Sequence, residues 1–273
     1  MNKFSIIILI CFISFNLYPI TVYGVEQKRI LIVPGHDDES VGAEYANLKE
    51  ADMNLRLATE LHSILKKDKR FKVYITRDSK GHTKEFANYF VEQREEIIAF
   101  KENSKKQMAE KMANGSVVQV QGLPHNAVNQ DTAIKLYGIN KWANENKIDA
   151  VVHVHFNDYA RPTKWAMGKY KGFNIYVPEE QLVNSKDSVS LAEKIFTQLR
   201  KKYSISTYET QGIVPDQKLI ALGAHGSLDK NVRSILIEYG YIYRFGNAKF
   251  RHKAYKDMSA LTATGLKNYF FKK

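Results

Sequence analysis

The chain has 273 residues, 44% hydrophobic and 26% charged, a globular composition that can bury one substantial core in one or at most two domains. Forty-one basic residues face 29 acidic ones, a formal net charge of +12, which favours anionic surroundings such as lipid head groups, wall polymers or peptide carboxylates. The single cysteine, Cys11, lies in an N-terminal apolar run, so beyond that run disulfides and thiolate zinc sites are excluded and any transition metal must rest on His, Asp or Glu.

That apolar run follows Lys3 as FSIIILICFISF and ends at Val22 and Gly24, a small-residue cleavage pattern. Residues 1–24 are therefore expected to be a secretory signal peptide rather than a retained anchor, since Asn16 and Pro19 weaken a membrane helix and no basic cluster follows. Ile10 stands where a lipoprotein site before Cys11 would want a small residue. The remaining chain, 25–273, keeps an excess charge of +11 because the leader carries one lysine and no acid. It is expected outside the cytoplasm, whether secreted, periplasmic or cell-wall associated, with no stable membrane insertion after cleavage and no nucleic-acid partner.

The elements then alternate. KRILIVP (28–34) reads as a buried strand, 49–67 as a helix with Leu55, Ala58, Leu61 and Leu65 at helical spacing, and FKVYITRD (71–78) as a second strand. A polar stretch of helical period follows, with a Gly-, Pro- and Asn-containing loop at 114–130, and no strand is expected before IDAVVHVH (148–155). Strand GFNIYV (172–177), helix 190–203, strand SILIEYG (234–240) and a terminal helix complete the pattern. The prediction is an α/β fold, three-layer, with a mostly parallel sheet and helices on both faces.

Strand ends decide where chemistry gathers. His36 follows the first strand, His155 ends VVHVH, Glu238 ends SILIE, and Glu50 stands in the first turn of the first helix. In an open α/β sheet the carboxyl ends of parallel strands share one edge, which is where ligands bind. Two imidazoles and a carboxylate suit Zn²⁺ with a fourth position left for water, and a further carboxylate nearby can move that water's proton. Topology alone does not say which of Glu50 and Glu238 is ligand and which is base.

The chain resembles the zinc-dependent N-acetylmuramoyl-L-alanine amidases of the amidase-3 type. Gly35, His36, Gly42 and Ala43 keep the spacing of the family's first motif, KEADMNLRLATEL resembles its Glu-initiated helix through Glu50, Asn54 and Leu55, and VYITRD its Thr-Arg strand. HVHFND is similar to its His-x-Asn motif and LIEYGY to its Glu-x-Gly-aromatic motif. The resemblance covers about 28–270 with one long interruption, 95–148, expected to be a helical and loop insertion serving as a lid, a rim or a solvated decoration. It implies that His36, Glu50 and His155 hold Zn²⁺, that Glu238 is the catalytic base, and that peptidoglycan or a muropeptide is cut between N-acetylmuramic acid and L-alanine. Since the chain shows no separate wall-binding module, targeting is left to the cleft, the basic surface or an activator protein.

The first motif departs from the family. Asp37 and Asp38 stand where amidases carry glycines, followed by Glu39 and Ser40. GHDDE thereby approaches the His-Pro-Asp-Asp-Glu motif of zinc deacetylases acting on N-acetylglucosaminyl groups, but it lacks the proline, which shifts both aspartates by one position. A deacetylase and a non-catalytic wall-binding relative are the alternatives, and Asp37–Glu39 reads as a loop variant beside the metal. His153 shares a strand face with His155 and is a candidate to orient a ligand or touch substrate. His225 is a weaker candidate for substrate contact and His125 weaker still, while His62, His82 and His252 read as surface or helix-face residues. Arg77 and Arg94 are expected to be structural, Arg77 by pairing with a carboxylate such as Asp78 or one near Glu50.

Overall fold

A computed structural model of the chain describes residues 26–124 and 128–272. The expected signal peptide with Cys11, and His125, lie outside the described residues. Among the described residues no helix is long and apolar enough to cross a membrane.

In chain order the elements are β1 (Lys28–Pro34), β2 (Glu44–Tyr45), β3 (Leu48–Lys49), α1 (Glu50–Lys66), β4 (Phe71–Ile75), β5 (Arg77–Asp78), β6 (Gly81–His82), α2 (Lys84–Glu92), α3 (Arg94–Ala113) and α4 (Gln130–Glu145). There follow β7 (Ala150–Asn157), β8 (Asn174–Pro178), α5 (Ser185–Leu199), β9 (Ile213–Asp216), β10 (Arg233–Tyr241) and α6 (Ala248–Phe271), with short 3₁₀ turns at 220–222, 224–226 and 242–245. Six strands form one sheet in the order β4-β1-β7-β10-β8-β9. The first four run parallel, β8 is antiparallel to β10, and β9 is parallel to β8.

Both faces of the sheet are covered, which is why its central strands read as continuous apolar runs rather than alternating ones. On one face Ile30, Ile32, Val152, Val154, Ile235 and Ile237 pack against α1, α5 and α6. On the other, Leu31, Val33 and Val151 meet Phe86 of α2 and Ile139, Trp142 and Ala143 of α4. The three-layer α/β expectation holds.

Within 95–148, α4 is an integral layer over the second sheet face and α3 packs on its outer side through Ile97, Ile134 and Tyr137. Of this stretch α4 is a layer of the fold, whereas most residues of 101–120 are exposed. In α1 the buried stripe runs through Met53, Leu57, Ala58, Leu61 and Leu65, with Leu55 only half-buried, so the face is rotated from the one read through Leu55.

Candidate metal centre

Gly35 follows β1 and lets the chain turn directly beneath β7. A Cβ built on it would lie 2.1 Å from Cε1 of His155, so only glycine admits the imidazole there. His36 then adopts a left-handed φ of 60°, a costly conformation for a non-glycine residue, and this aims its ring back toward α1. Gly42, at φ 73°, closes the loop, and a Cβ on it would come within 2.5 Å of Glu50 Oε2 and 2.6 Å of His36 Cδ2.

Glu50 is the first residue of α1 and is buried, where the helix's free N–H groups favour an anion. Its carboxylate lies between the two imidazoles, Oε2 3.2 Å from His36 Nε2 and Oε1 3.0 Å from His155 Nδ1. The backbone N–H of Ala43 donates to Oε2 at 2.9 Å, and Phe156 N–H and Asn54 Nδ2 donate to Oε1, each at 3.2 Å. Asn54 Nδ2 also reaches the Gly35 carbonyl at 3.0 Å, which ties α1 to the histidine loop.

One donor atom from each of His36, Glu50 and His155 lies within 4.8 Å of the others. Ligands about 2.1 Å from a tetrahedral ion sit about 3.4 Å apart, so the three donors would have to draw together around a divalent cation. The donor set, two imidazoles and a carboxylate with no sulfur, is the type that zinc takes in open sites.

Electrostatics agree with a site that wants positive charge. Burial alone would raise the Glu50 pKa, but the hydrogen bonds and charges of both imidazoles hold it well below the ordinary carboxylate range. Burial disfavours protonation of His36, yet its bond to Glu50 and the carboxylate's charge raise its pKa overall. His155 goes the other way, with burial outweighing Glu50 and lowering its pKa.

Glu238 stands beside this group. In the parallel ladder it is the direct partner of His155, and on its other side it faces Asn174 of β8, so His155, Glu238 and Asn174 form one row across the sheet. Its Oε2 is buried without a hydrogen-bond partner. Burial, then the charges of Glu50 and Glu209, raise its pKa well above the usual value. A carboxyl so placed readily holds a proton.

The remaining candidates separate. Asp37 is not in the metal group: Oδ1 accepts from the N–H groups of Glu39 and Ser40 at 3.1 and 2.9 Å, and Oδ2 lies 3.4 Å from Lys135 Nζ of α4. Arg77 is buried as a structural residue, but not through a carboxylate. Its Nη2 donates to the carbonyls of Gly35 and Ala51 at 3.1 and 2.6 Å, clamping the histidine loop to α1. Arg94 pairs with Asp131 on the surface at 3.0 Å.

His153 is fully buried on the face it shares with His155, and burial followed by the charge of His155 lowers its pKa to about 3. His82, read as a surface residue, instead lies in a cavity wall 4.0 Å from Asp37, because the β5–β6 turn folds it inward under Phe90. His225 bonds the Tyr137 hydroxyl at 2.5 Å and does not line the cavity beside the metal group.

Sequence reasoning did not single out Asn174 or Glu209. Glu209 accepts from Asn157 Nδ2 at 2.9 Å, Tyr176 OH at 3.3 Å and Tyr241 OH at 3.2 Å, and from Ser206, which fixes the edge around Glu238. A signal existed only for Asn174, a polar residue inside the apolar strand GFNIYV.

Residues 30–268 match the family model of the N-acetylmuramoyl-L-alanine amidases. The chain belongs to that family. No curated protein matches it. Among solved structures, the CwlD amidase of Clostridioides difficile in complex with the GerS lipoprotein superposes with a TM-score of 0.58 at 16% identity, covering 89% of this chain and 98% of that one. The catalytic domain of CwlV, an N-acetylmuramoyl-L-alanine amidase from Bacillus (Paenibacillus) polymyxa var. colistinus, gives 0.56 at 17% identity, covering 90% and 100%. At such identities the likeness concerns the fold, over about nine-tenths of this chain.

Proposed function

We propose that this family member is a zinc-dependent peptidoglycan amidase that acts outside the cytoplasm, with His36, Glu50 and His155 as the metal ligands and Glu238 as the catalytic base. The observation that carries the assignment is the meeting of three donors on β1, α1 and β7 in a cradle that Gly35 and Gly42 keep open, next to a carboxyl oxygen with no partner.

A divalent metal held by His36, Glu50 and His155 would polarise the scissile carbonyl and make water a better nucleophile. The chain's own groups supply the rest. Glu238 would take a proton from the water on its unpartnered Oε2 and return it to the departing alanine nitrogen. Asn54 and Arg77 hold the Gly35 carbonyl, and through it the histidine loop, in place. The use of Asp37 as a turn cap tells against a deacetylase built on the acidic run, since its carboxylate is already engaged by Ser40 and Lys135. That the CwlD amidase was solved with a lipoprotein supports a protein partner for this chain too.

The test is product analysis with the purified, zinc-loaded protein and peptidoglycan. Free peptides with new N-terminal alanine are expected, with acetyl groups retained on the sugars. Acetate release without peptide would mean a deacetylase, and binding without product a wall-binding relative. Glu238→Gln should retain zinc and substrate binding but lose about 10²- to 10⁴-fold in turnover, because an amide neither takes nor returns the proton. Loss of zinc from that variant would make Glu238 a ligand instead.

A further inference from the structure

Charge is distributed unevenly over the two helical layers. On the second face of the sheet, α2, α3 and α4 carry eight cations and eight acids, which cancel. On the first face α6 carries five cations and one acid, Asp257, and Arg200, Lys201 and Lys202 follow the end of α5 beside it.

These groups form one cluster. Lys202 pairs with Asp257, and Lys253 Nζ lies 3.7 Å from the same carboxylate. Lys249, Lys253 and Lys256 fall at i, i+4 and i+7, on one solvent-facing stripe of α6. Arg200, Lys201, Lys249 and Lys256 are exposed and make no ion pair among the described residues. Ring contacts from Phe250 to Phe245 at 5.7 Å and from Phe245 to Phe156 at 4.9 Å join the first turn of α6 to the residue after His155, so the cluster lies beside the metal-bearing edge of the sheet.

Helix stability does not ask for this arrangement. Cations suit a helix C-terminus, which accounts for Arg200 to Lys202 at the end of α5. The first turn of α6 is different. It has no acid and holds Lys249 and Arg251 against the helix dipole, whereas each of α1 to α5 opens with Glu or Asp. Lys249 and Lys253 add a like-charge i, i+4 pair. Cations kept where they weaken their own helix point to an anion outside the chain.

The side chains also say what kind of anion. Five of the six cations Arg200, Lys201, Lys202, Lys249, Lys253 and Lys256 are lysines, point charges with freely turning donors that can follow a row of phosphates but do not grip one carboxylate in the two-pronged manner of arginine. A bilayer surface would be met by apolar side chains as well as cations, and among the described residues Phe250 is the only large apolar side chain exposed on α1, α5 or α6.

We propose that the α5–α6 cluster is a docking surface for a linear polyanion with a phosphate in each repeat, which would hold the protein on an anionic matrix with the metal-bearing edge close by. The contact is electrostatic and independent of the metal chemistry.

The test is binding of the full mature chain to labelled long-chain inorganic polyphosphate, followed by fluorescence anisotropy over a range of salt concentrations. Lys249→Gln, Lys253→Gln and Lys256→Gln together should lose at least about tenfold in affinity at 0.1 M salt and reduce the slope of log affinity against log salt by about two to three, since each phosphate neutralised contributes about 0.7–0.9. Lys105→Gln, Lys106→Gln and Lys111→Gln together remove the same charge from exposed positions of α3 and should leave both close to wild type. The α6 variant should also melt no lower than the wild type, because Lys249 opposes its own helix dipole. Equal losses in the two triple variants would reduce the effect to net charge and overturn the proposal, as would no binding of polyphosphate by the wild type. A melting temperature well below wild type in the α6 variant would make its lysines structural. Tighter binding to phosphatidylglycerol vesicles than to polyphosphate at equal phosphate concentration would make a membrane the occupant instead.

Discussion

Gly35 and Gly42 show how much of the metal centre is decided by the absence of side chains. Alanine at 35 would overlap the His155 ring by more than an ångström, and the loop has no slack because its carbonyl is held by both Asn54 and Arg77. Gly35→Ala is therefore expected to displace His155 and reduce zinc stoichiometry to near zero while the sheet folds, which metal analysis with circular dichroism would show; full zinc occupancy would mean that His155 is not a ligand. Asp37→Gly with Asp38→Gly should behave oppositely. It removes a turn cap and one half-exposed ion pair, together worth about 1–2 kcal/mol, and leaves every proposed ligand in place, so zinc is retained. Zinc loss in the double variant would show the ligands to be misassigned. The histidines and glutamates were legible in the sequence because strand ends must share an edge. The partners of Arg77 were not, since a bond to the carbonyls of Gly35 and Ala51 leaves no trace in side-chain pattern.

At the scale of elements, the readings failed where polar residues are buried or an apolar run is short. Helix α5 begins at Ser185, five residues before the expected start, because Ser185 and Ser188 turn their hydroxyls onto the carbonyls of Pro178 and Asn184 and so enter the core without apolar side chains. Strand β9 was not expected at all, as IVPD carries a proline and only two hydrophobic residues, and it forms by pairing with β8 at the sheet's edge. The connection from β7 to β8 is likewise ordered by one side chain. Arg161, whose side chain is 5% exposed, pairs with Asp158 at 2.7 Å and donates to the carbonyls of Glu44, Lys164 and Ala166 at 2.6, 3.0 and 3.3 Å. Arg161→Ala should cost about 1–2 kcal/mol, because it removes several hydrogen bonds to partly exposed carbonyls and the partner of Asp158. Denaturant unfolding would measure this, and a change under 0.5 kcal/mol would show that the loop is ordered instead by Tyr159 and Tyr170, whose rings meet edge to face at 4.7 Å.

For the molecule as a whole, the core and the metal group are separable. The sheet is sealed by helices on both faces through apolar contacts that involve none of His36, Glu50 or His155, whereas the metal group lies at the strand ends and holds an anionic carboxylate between two imidazoles. Removing a divalent ion with a chelator should thus leave the far-UV spectrum intact and abolish turnover. It should also lower the melting temperature, since an ion bound only by the folded state at a thousand times its dissociation constant contributes about 4 kcal/mol. At about 2–4 °C per kcal/mol for a chain of this size, the shift should be of order 10 °C and should reverse on adding back zinc. A protein that unfolds on chelation would make the metal part of the fold, in the manner of a structural zinc domain. A melting temperature that ignores both chelator and zinc would mean that the His36, Glu50 and His155 cluster binds no metal, and that the hydrogen bonds from both imidazoles to Glu50 are its whole purpose.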